Sequence, residues 1–219
     1  MKIGAALFGC AIIVTAVVAI DRKANEVALN LNSDNLTVFV DAGHGGNDNG
    51  ASSKSGRREK DDTLELSLAV RDALEARGVN VVMTRETDAK VPLEDLVKKA
   101  NGSKADLFIS LHRNSSETAV GGVEIWVNKR KPEIDTYMAN KILQGLDDVG
   151  IQNNRGVKFG LVNKPESDYY VNKYTDMPSC LIELGFITDE KDNQYFDKNL
   201  KAYAKAIADG IVKTADKYA

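Results

Sequence analysis

Thr37-Val38-Phe39-Val40-Asp41-Ala42-Gly43-His44-Gly45-Gly46 is a β-branched and aromatic run that stops in a glycine-rich turn. Thr37–Asp41 has the composition of a buried strand, and the three glycines after it let the backbone approach a ligand closely. Outward from this stretch, strand-like and helix-like segments alternate. Asp61–Arg77 carries Leu64, Leu68 and Leu74 at helical spacing and is stopped by Gly78. Val79–Arg85 reads as a strand, Pro92–Asn101 as a helix started by its proline, and Ala105–His112 and Gly122–Val127 as strands. Ile134–Val149 follows as a helix, Phe159–Asn163 as a short strand, and Ser179–Leu184 as a strongly apolar strand. The last helix, Asn199–Tyr218, places Tyr203, Ile207, Ile211 and Ala215 on one stripe. Apolar strands alternating with amphipathic helices predict an α/β fold. We expect a single domain with a twisted, largely parallel or mixed sheet of about six strands, covered by helices on both faces. No internal repeat or low-complexity segment interrupts it.

Of the 219 residues, 43% are hydrophobic and 28% charged, and only four are proline, which excludes a disordered or collagen-like chain. Lys and Arg number 29 against 32 Asp and Glu, for a net charge of −3, so there is no basic field to hold nucleic acid. The two cysteines, Cys10 and Cys180, are far apart, and with two histidines in the chain a metal site must recruit carboxylates.

Residues 3–20 carry no charge and follow a single Lys2. As a helix this run would measure about 27 Å, against a bilayer core of roughly 30 Å, so segment 1–20 reads equally as a signal peptide or a membrane anchor. Val17-Val18-Ala19 offers a cleavage site, Asp21-Arg22-Lys23 a polar flank for an anchor, and Leu7-Phe8-Gly9-Cys10 a short lipidation box. Residues 21–36 are polar and read as a tether to a domain over 37–219. Each alternative places that domain outside the cytoplasm, secreted or anchored at the cell envelope, touching the membrane only through its N-terminal segment. Cys180 then stands alone, as a small buried hydrophobe.

In open sheets of this kind the functional residues gather beyond the carboxyl ends of the strands. His44 follows the first predicted strand, and His112 ends the third. Glu183 sits in a run otherwise apolar from Cys180 to Ile187, where an unpaired carboxylate is costly to bury. Glu59 lies at the mouth of the first helix. Two histidines and one glutamate make the ligand set of a catalytic zinc with an open fourth position, and a second glutamate is the general base such a site needs. Taken singly, each has a plainer reading. The glycine turn beside His44 suits a phosphate, His112 suits a hydrogen-bonded core histidine, Glu59 sits in a solvated charge run, and Glu183 suits an ion pair with an arginine such as Arg85.

Together, Asp41-Ala42-Gly43-His44-Gly45-Gly46, Glu59-Lys60-Asp61, Ser110-Leu111-His112-Arg113-Asn114 and Glu183-Leu184-Gly185-Phe186 resemble, in order and spacing, the zinc-dependent N-acetylmuramoyl-L-alanine amidases sometimes called type 3. The resemblance covers about residues 37–218. It implies that His44, Glu59 and His112 bind one zinc ion and that Glu183 is catalytic. The implied substrate is the peptidoglycan amide between the lactyl group of muramic acid and L-alanine of the stem peptide. Asn114 and Arg113 are candidate substrate contacts, Arg113 because it adds a charge where the family usually has a small residue. Asp41 is a candidate to orient His44, whereas Ser110 reads as structural. Ala42 replaces a common proline. The short stretch 115–133 lacks the inhibitory helix of some members, so the resemblance implies an ungated site or one gated by a separate activator protein. Two other functions remain to be distinguished: a carboxypeptidase-like zinc amide hydrolase, and a non-catalytic cell-wall regulatory module.

Overall fold

The computed structural model describes residues 35–219. The predicted leader, its cysteine Cys10 and all but the end of the tether lie outside the described residues. Eleven elements follow one another: β1 (Thr37–Ala42), α1 (Glu59–Glu75), β2 (Asn80–Met83), α2 (Leu93–Gly102), β3 (Leu107–Asn114), β4 (Val123–Val127), α3 (Glu133–Val149), β5 (Asn154–Phe159), α4 (Tyr170–Tyr174), β6 (Ser179–Phe186) and α5 (Glu190–Tyr218). They form one six-stranded sheet in the order β2-β1-β3-β6-β4-β5. All neighbours are parallel except β4 and β6, so the sheet is mixed. Among the described residues no helix is long and apolar enough to cross a membrane.

Both faces are covered, which is why the strands read as continuous apolar runs rather than alternating ones. One face carries Val40, Ile109, Ile125 and Ile182 against α1, α3 and α5. The α5 stripe of Tyr203, Ile207, Ile211 and Ala215 is buried there as expected. The other face carries Phe39, Phe108, Trp126 and Leu181 under the smaller cover of α2 and α4. Cys180 is buried and free, and burial pushes its thiol pKa up, so it is inert packing.

The structure corrects several boundaries. Leu36, placed at the end of the tether, is 2% exposed and belongs to the core. The strand expected at Phe159–Asn163 is β5, Asn154–Phe159, and the residues after it turn through Gly160 and Asn163, both at positive φ. β5 is an edge strand only half buried, so it lacks the apolar run that marks the inner strands. α4 is a single turn, too short for a periodic signal. α5 begins at Glu190 rather than Asn199, where the Asp189 side chain accepts the Asp192 N–H at 2.9 Å. Its first turns are charged, and Asp192 and Asn193 are buried there for hydrogen bonding rather than apolar contact.

The largest correction concerns Arg113. β3 continues past His112 to Asn114, so strand alternation sends His112 and Arg113 to opposite faces. Arg113 is 1% exposed; its guanidinium bonds Asp62 and Asn193 and lies 4.4 Å from the centre of the Phe196 ring. It adds no charge to the cleft and is not a substrate contact. Arg57 bonds the same Asp62 at 2.8 Å, so a buried carboxylate holds two arginines where α1 meets α5. Asp62→Ala leaves the Arg113 charge buried without its counter-ion and should cost about 3–5 kcal/mol in urea unfolding; a change under about 1 kcal/mol would show that the pair contributes little.

Candidate metal centre and active site

The ends of β1 and β3 are held together by backbone and side chain before any ligand is considered. The Gly43 N–H donates to the Leu111 carbonyl at 3.1 Å, extending the ladder past β1. The buried Arg85 guanidinium donates to the carbonyls of Ala42, Gly43 and Lys60 at 2.9–3.0 Å, and Thr63 Oγ1 donates to the Gly43 carbonyl at 2.7 Å. This clamps the turn after β1 to the first turn of α1. Arg85 is therefore not the partner of Glu183. Asp41 accepts from Thr84 Oγ1 and Ser110 Oγ at 2.6 and 2.7 Å. Ser110 is structural, as expected, but Asp41 is occupied below the site and does not orient His44.

His44 adopts φ +62°, an uncommon conformation for a residue with a Cβ. A small loop holds it there: Gly45 and Asp48 exchange backbone hydrogen bonds at 2.9 and 3.0 Å. His44 Nδ1 lies 3.0 Å from Asp48 Oδ1, which turns Nε2 inward to 3.2 Å from Glu59 Oε2. Across the cleft, His112 Nδ1 lies 2.9 Å from Glu59 Oε1. Each Glu59 oxygen also accepts a backbone N–H, from Arg113 at 3.0 Å and from Ala51 at 2.8 Å. Burial raises the pKa of Glu59, but the hydrogen bonds from both histidines outweigh it and hold the carboxyl well below the usual range. His112 moves the other way: burial lowers its pKa, while Glu59 and the nearby charge of Glu183 lift it to about 9.

One ligand atom from each of His44, Glu59 and His112 lies within 4.8 Å of the others. Four-coordinate zinc with bonds near 2.0–2.1 Å needs donors about 3.3 Å apart, and each histidine lies at about that distance from one Glu59 oxygen, 3.2 Å for His44 and 2.9 Å for His112. The neighbouring backbone has no room to spare: a Cβ on Gly43 would sit 2.4 Å from His112 Cε1, and one on Gly50 2.5 Å from Glu59 Oε2. The site accordingly fits a divalent cation with an open coordination position.

Glu183 lies beside this triad, opposite His112 in the β3–β6 register. It is 9% exposed and its Oε2 has no hydrogen-bond partner. Burial pushes its pKa up, opposed by His112 and reinforced by Glu59 and Glu124, to about 7. A group so placed exchanges protons near neutral pH. His44, His112 and Glu183 line a cleft of about 400 Å³ that Leu93, Leu96, Tyr169 and Tyr170 also wall. Asn114 is engaged within the protein: its Nδ2 donates to Glu124 at 3.0 Å and its Oδ1 accepts from the Ser115 N–H. Two functional neighbours escaped the sequence reading. Asp48, four residues after His44, carries no periodic signal; Glu124 shows the same mark that singled out Glu183, a charge inside an apolar strand.

Residues 38–213 match the family model for N-acetylmuramoyl-L-alanine amidases. The chain is 39% identical over 183 residues to uncharacterized protein YqiI of Bacillus subtilis, covering 83% of this chain and 84% of that one. It is 34% identical to N-acetylmuramoyl-L-alanine amidase LytC of the same organism, covering 80% of this chain but only 35% of LytC. Among solved structures, amidase AmiC2 of Nostoc punctiforme superposes with a TM-score of 0.71 at 35% identity, over 81% of this chain and 96% of that one. The CwlD amidase of Clostridioides difficile, solved in complex with the GerS lipoprotein, gives 0.67 at 29% identity, over 84% and 98%.

Gly50 has φ +62° as well as a crowded Cβ position, so Gly50→Ala should strain the loop and displace Glu59 or His44. We expect zinc affinity, measured by competition with a chromogenic chelator, to fall roughly 10- to 100-fold. Unchanged affinity would mean that the loop yields freely and that these contacts do not hold the ligands.

Proposed function

This chain belongs to the N-acetylmuramoyl-L-alanine amidase family, and we propose that it hydrolyses the peptidoglycan amide between the lactyl group of muramic acid and L-alanine of the stem peptide. One observation carries this reading: a cation site of two histidines and a carboxylate with an unpartnered, buried Glu183 oxygen beside it. His44, Glu59 and His112 would hold one zinc ion. When bound, zinc supplies Lewis acidity towards the carbonyl and lowers the pKa of water. Glu183 accepts the proton of the attacking water as oxygen adds to the lactyl carbonyl carbon. It then returns that proton to the alanine nitrogen as the C–N bond breaks, because the amine leaves readily only when protonated. Asp48 keeps His44 Nε2 turned inward, and the wall of Leu93 and Tyr169 keeps one side of the reacting bond apolar.

The substrate places the domain outside the cytoplasm, and the uncharged run over 3–20 is the proposed means of getting there. With residues 1–35 removed the protein should remain in the cytoplasmic fraction; unchanged export would sink this. Residues 115–122, between β3 and β4, form no helix that could cover the cleft. The site would then be ungated, or gated by a separate protein; the CwlD amidase was solved in complex with a lipoprotein, GerS.

Purified sacculi test the activity: the protein should release peptides with free alanine amino termini and leave the glycan intact. Release of C-terminal amino acids instead would indicate a carboxypeptidase, and no release in the presence of zinc a non-catalytic module. The two glutamates separate in the same assay. Glu183→Gln should retain zinc yet lose at least ~10²–10⁴-fold in rate. Glu59→Gln should lose zinc first and recover partly in excess metal. Rescue of Glu183→Gln by added zinc would make Glu183 a ligand and refute these roles.

A further inference from the structure

The polar row that contains the site continues past Glu183. His112 on β3 stands opposite Glu183 on β6, and Glu183 stands opposite Glu124 on β4. Two buried carboxylates facing one another across neighbouring strands repel, so the second needs compensation. Glu124 is 4% exposed. Its Oε1 accepts from Asn114 Nδ2 at 3.0 Å and Trp126 Nε1 at 3.1 Å, and its Oε2 from Arg155 Nε at 2.8 Å.

That ion pair accounts for one edge of the Arg155 guanidinium and leaves the other unused. Arg155 Nη1 and Nη2 make no hydrogen bond among the described residues, the side chain is 31% exposed, and the guanidinium lies 5.0 Å from the centre of the Phe186 ring. It is therefore fixed from one side by a carboxylate and from another by an aromatic face, and its two terminal nitrogens keep their donors for a ligand. The register between β4 and β5 shifts between Val123 and Ile125, where Arg155 sits. Such irregularities re-aim side chains near active sites.

We propose that Arg155 is a specificity-determining residue that binds a carboxylate on the second residue of the stem peptide, on the leaving side of the scissile amide. This rests on the amidase reading above. The chemistry on the two sides of Glu183 sets the direction. The side bounded by Leu93, Tyr169 and Tyr170 is apolar and aromatic, suited to an uncharged N-acetylated sugar. On the other side of Glu183 the row runs through the buried Glu124 to the part-exposed Arg155, a cation suited to the acidic peptide. Reach agrees with this: Arg155 stands about two strand spacings, on the order of 10 Å, from Glu183. An extended peptide advances ~3.3–3.6 Å per residue, and a glutamate side chain spans the remainder. Arginine suits the task because its planar fork engages one carboxylate through Nε while keeping a second pair of donors for another.

The test compares N-acetylmuramoyl-L-alanyl-D-glutamate with its diamide as substrates of the zinc-loaded protein. Wild type should show a KM roughly 10- to 100-fold lower for the acid, the range expected for a charge-assisted hydrogen bond. Arg155→Gln should bring the two KM values together, and Arg155→Lys should keep part of the difference. A merely structural arginine would change both substrates equally. Equal KM values for wild type, or a preference that persists in Arg155→Gln, would overturn the role of Arg155 alone. Failure of wild type to cleave either compound, and sacculi as well, would overturn the amidase reading on which it rests.

Discussion

The carboxylate of Glu59 is the constraint around which this domain is arranged. It is 4% exposed, and an anion so buried is tolerable only if each oxygen is hydrogen-bonded. Four donors converge on it, the His44 ring and the Ala51 N–H from the loop after β1 and the His112 ring and the Arg113 N–H from the end of β3. The loop after β1, the first turn of α1 and the end of β3 must therefore meet at one point. The tight fits at Gly43 and Gly50 are the steric consequence. The Ala51 and Arg113 N–H donors hold both Glu59 oxygens independently of the imidazoles, so the candidate ligands are largely positioned by the protein itself.

The unequal cover of the two sheet faces turns this centre into a cleft. α1, α3 and α5 close one face completely, and the buried group of Asp62, Arg113 and Arg57 locks its upper edge. α2 and the single turn of α4 cover less of the other face, so Asp41, Ser110, His112, Glu183 and Glu124 lie along a partly open polar row. Every second residue of a strand shares a face. The chain thus places Glu183 and the His112 imidazole on the open side and the large buried Arg113 cation on the closed side, with the adjacent residues His112 and Arg113 serving opposite faces.

Much of the architecture was legible because strands buried on both faces are continuous apolar runs. TVFVD, LFISL and SCLIEL could hardly be anything else in a chain with so few prolines, and the positions of His44, His112 and Glu183 at their ends follow from that. β5 was misplaced because an edge strand exposes one side and needs no apolar run. The start of α5 was missed because its first turns are buried through Asp192 and Asn193, whose hydrogen bonds to distant backbone leave no hydrophobic period. Arg113 was misassigned because the strand was ended at His112; two further residues of β3 reverse the direction of the side chain.

The sequence by itself determined the fold class and the burial of its strands and singled out the residues of the candidate site, since apolar runs, glycines and a charge inside such a run are properties of local composition. Tertiary structure alone decided which groups touch. Asp48 rather than Asp41 holds His44, Asp62 rather than substrate engages Arg113, and Arg155 comes to stand beside Glu124. Those pairings depend on strand order, register and a shift at the sheet edge, which arise from packing whole elements together and leave no trace in the spacing of residues along the chain.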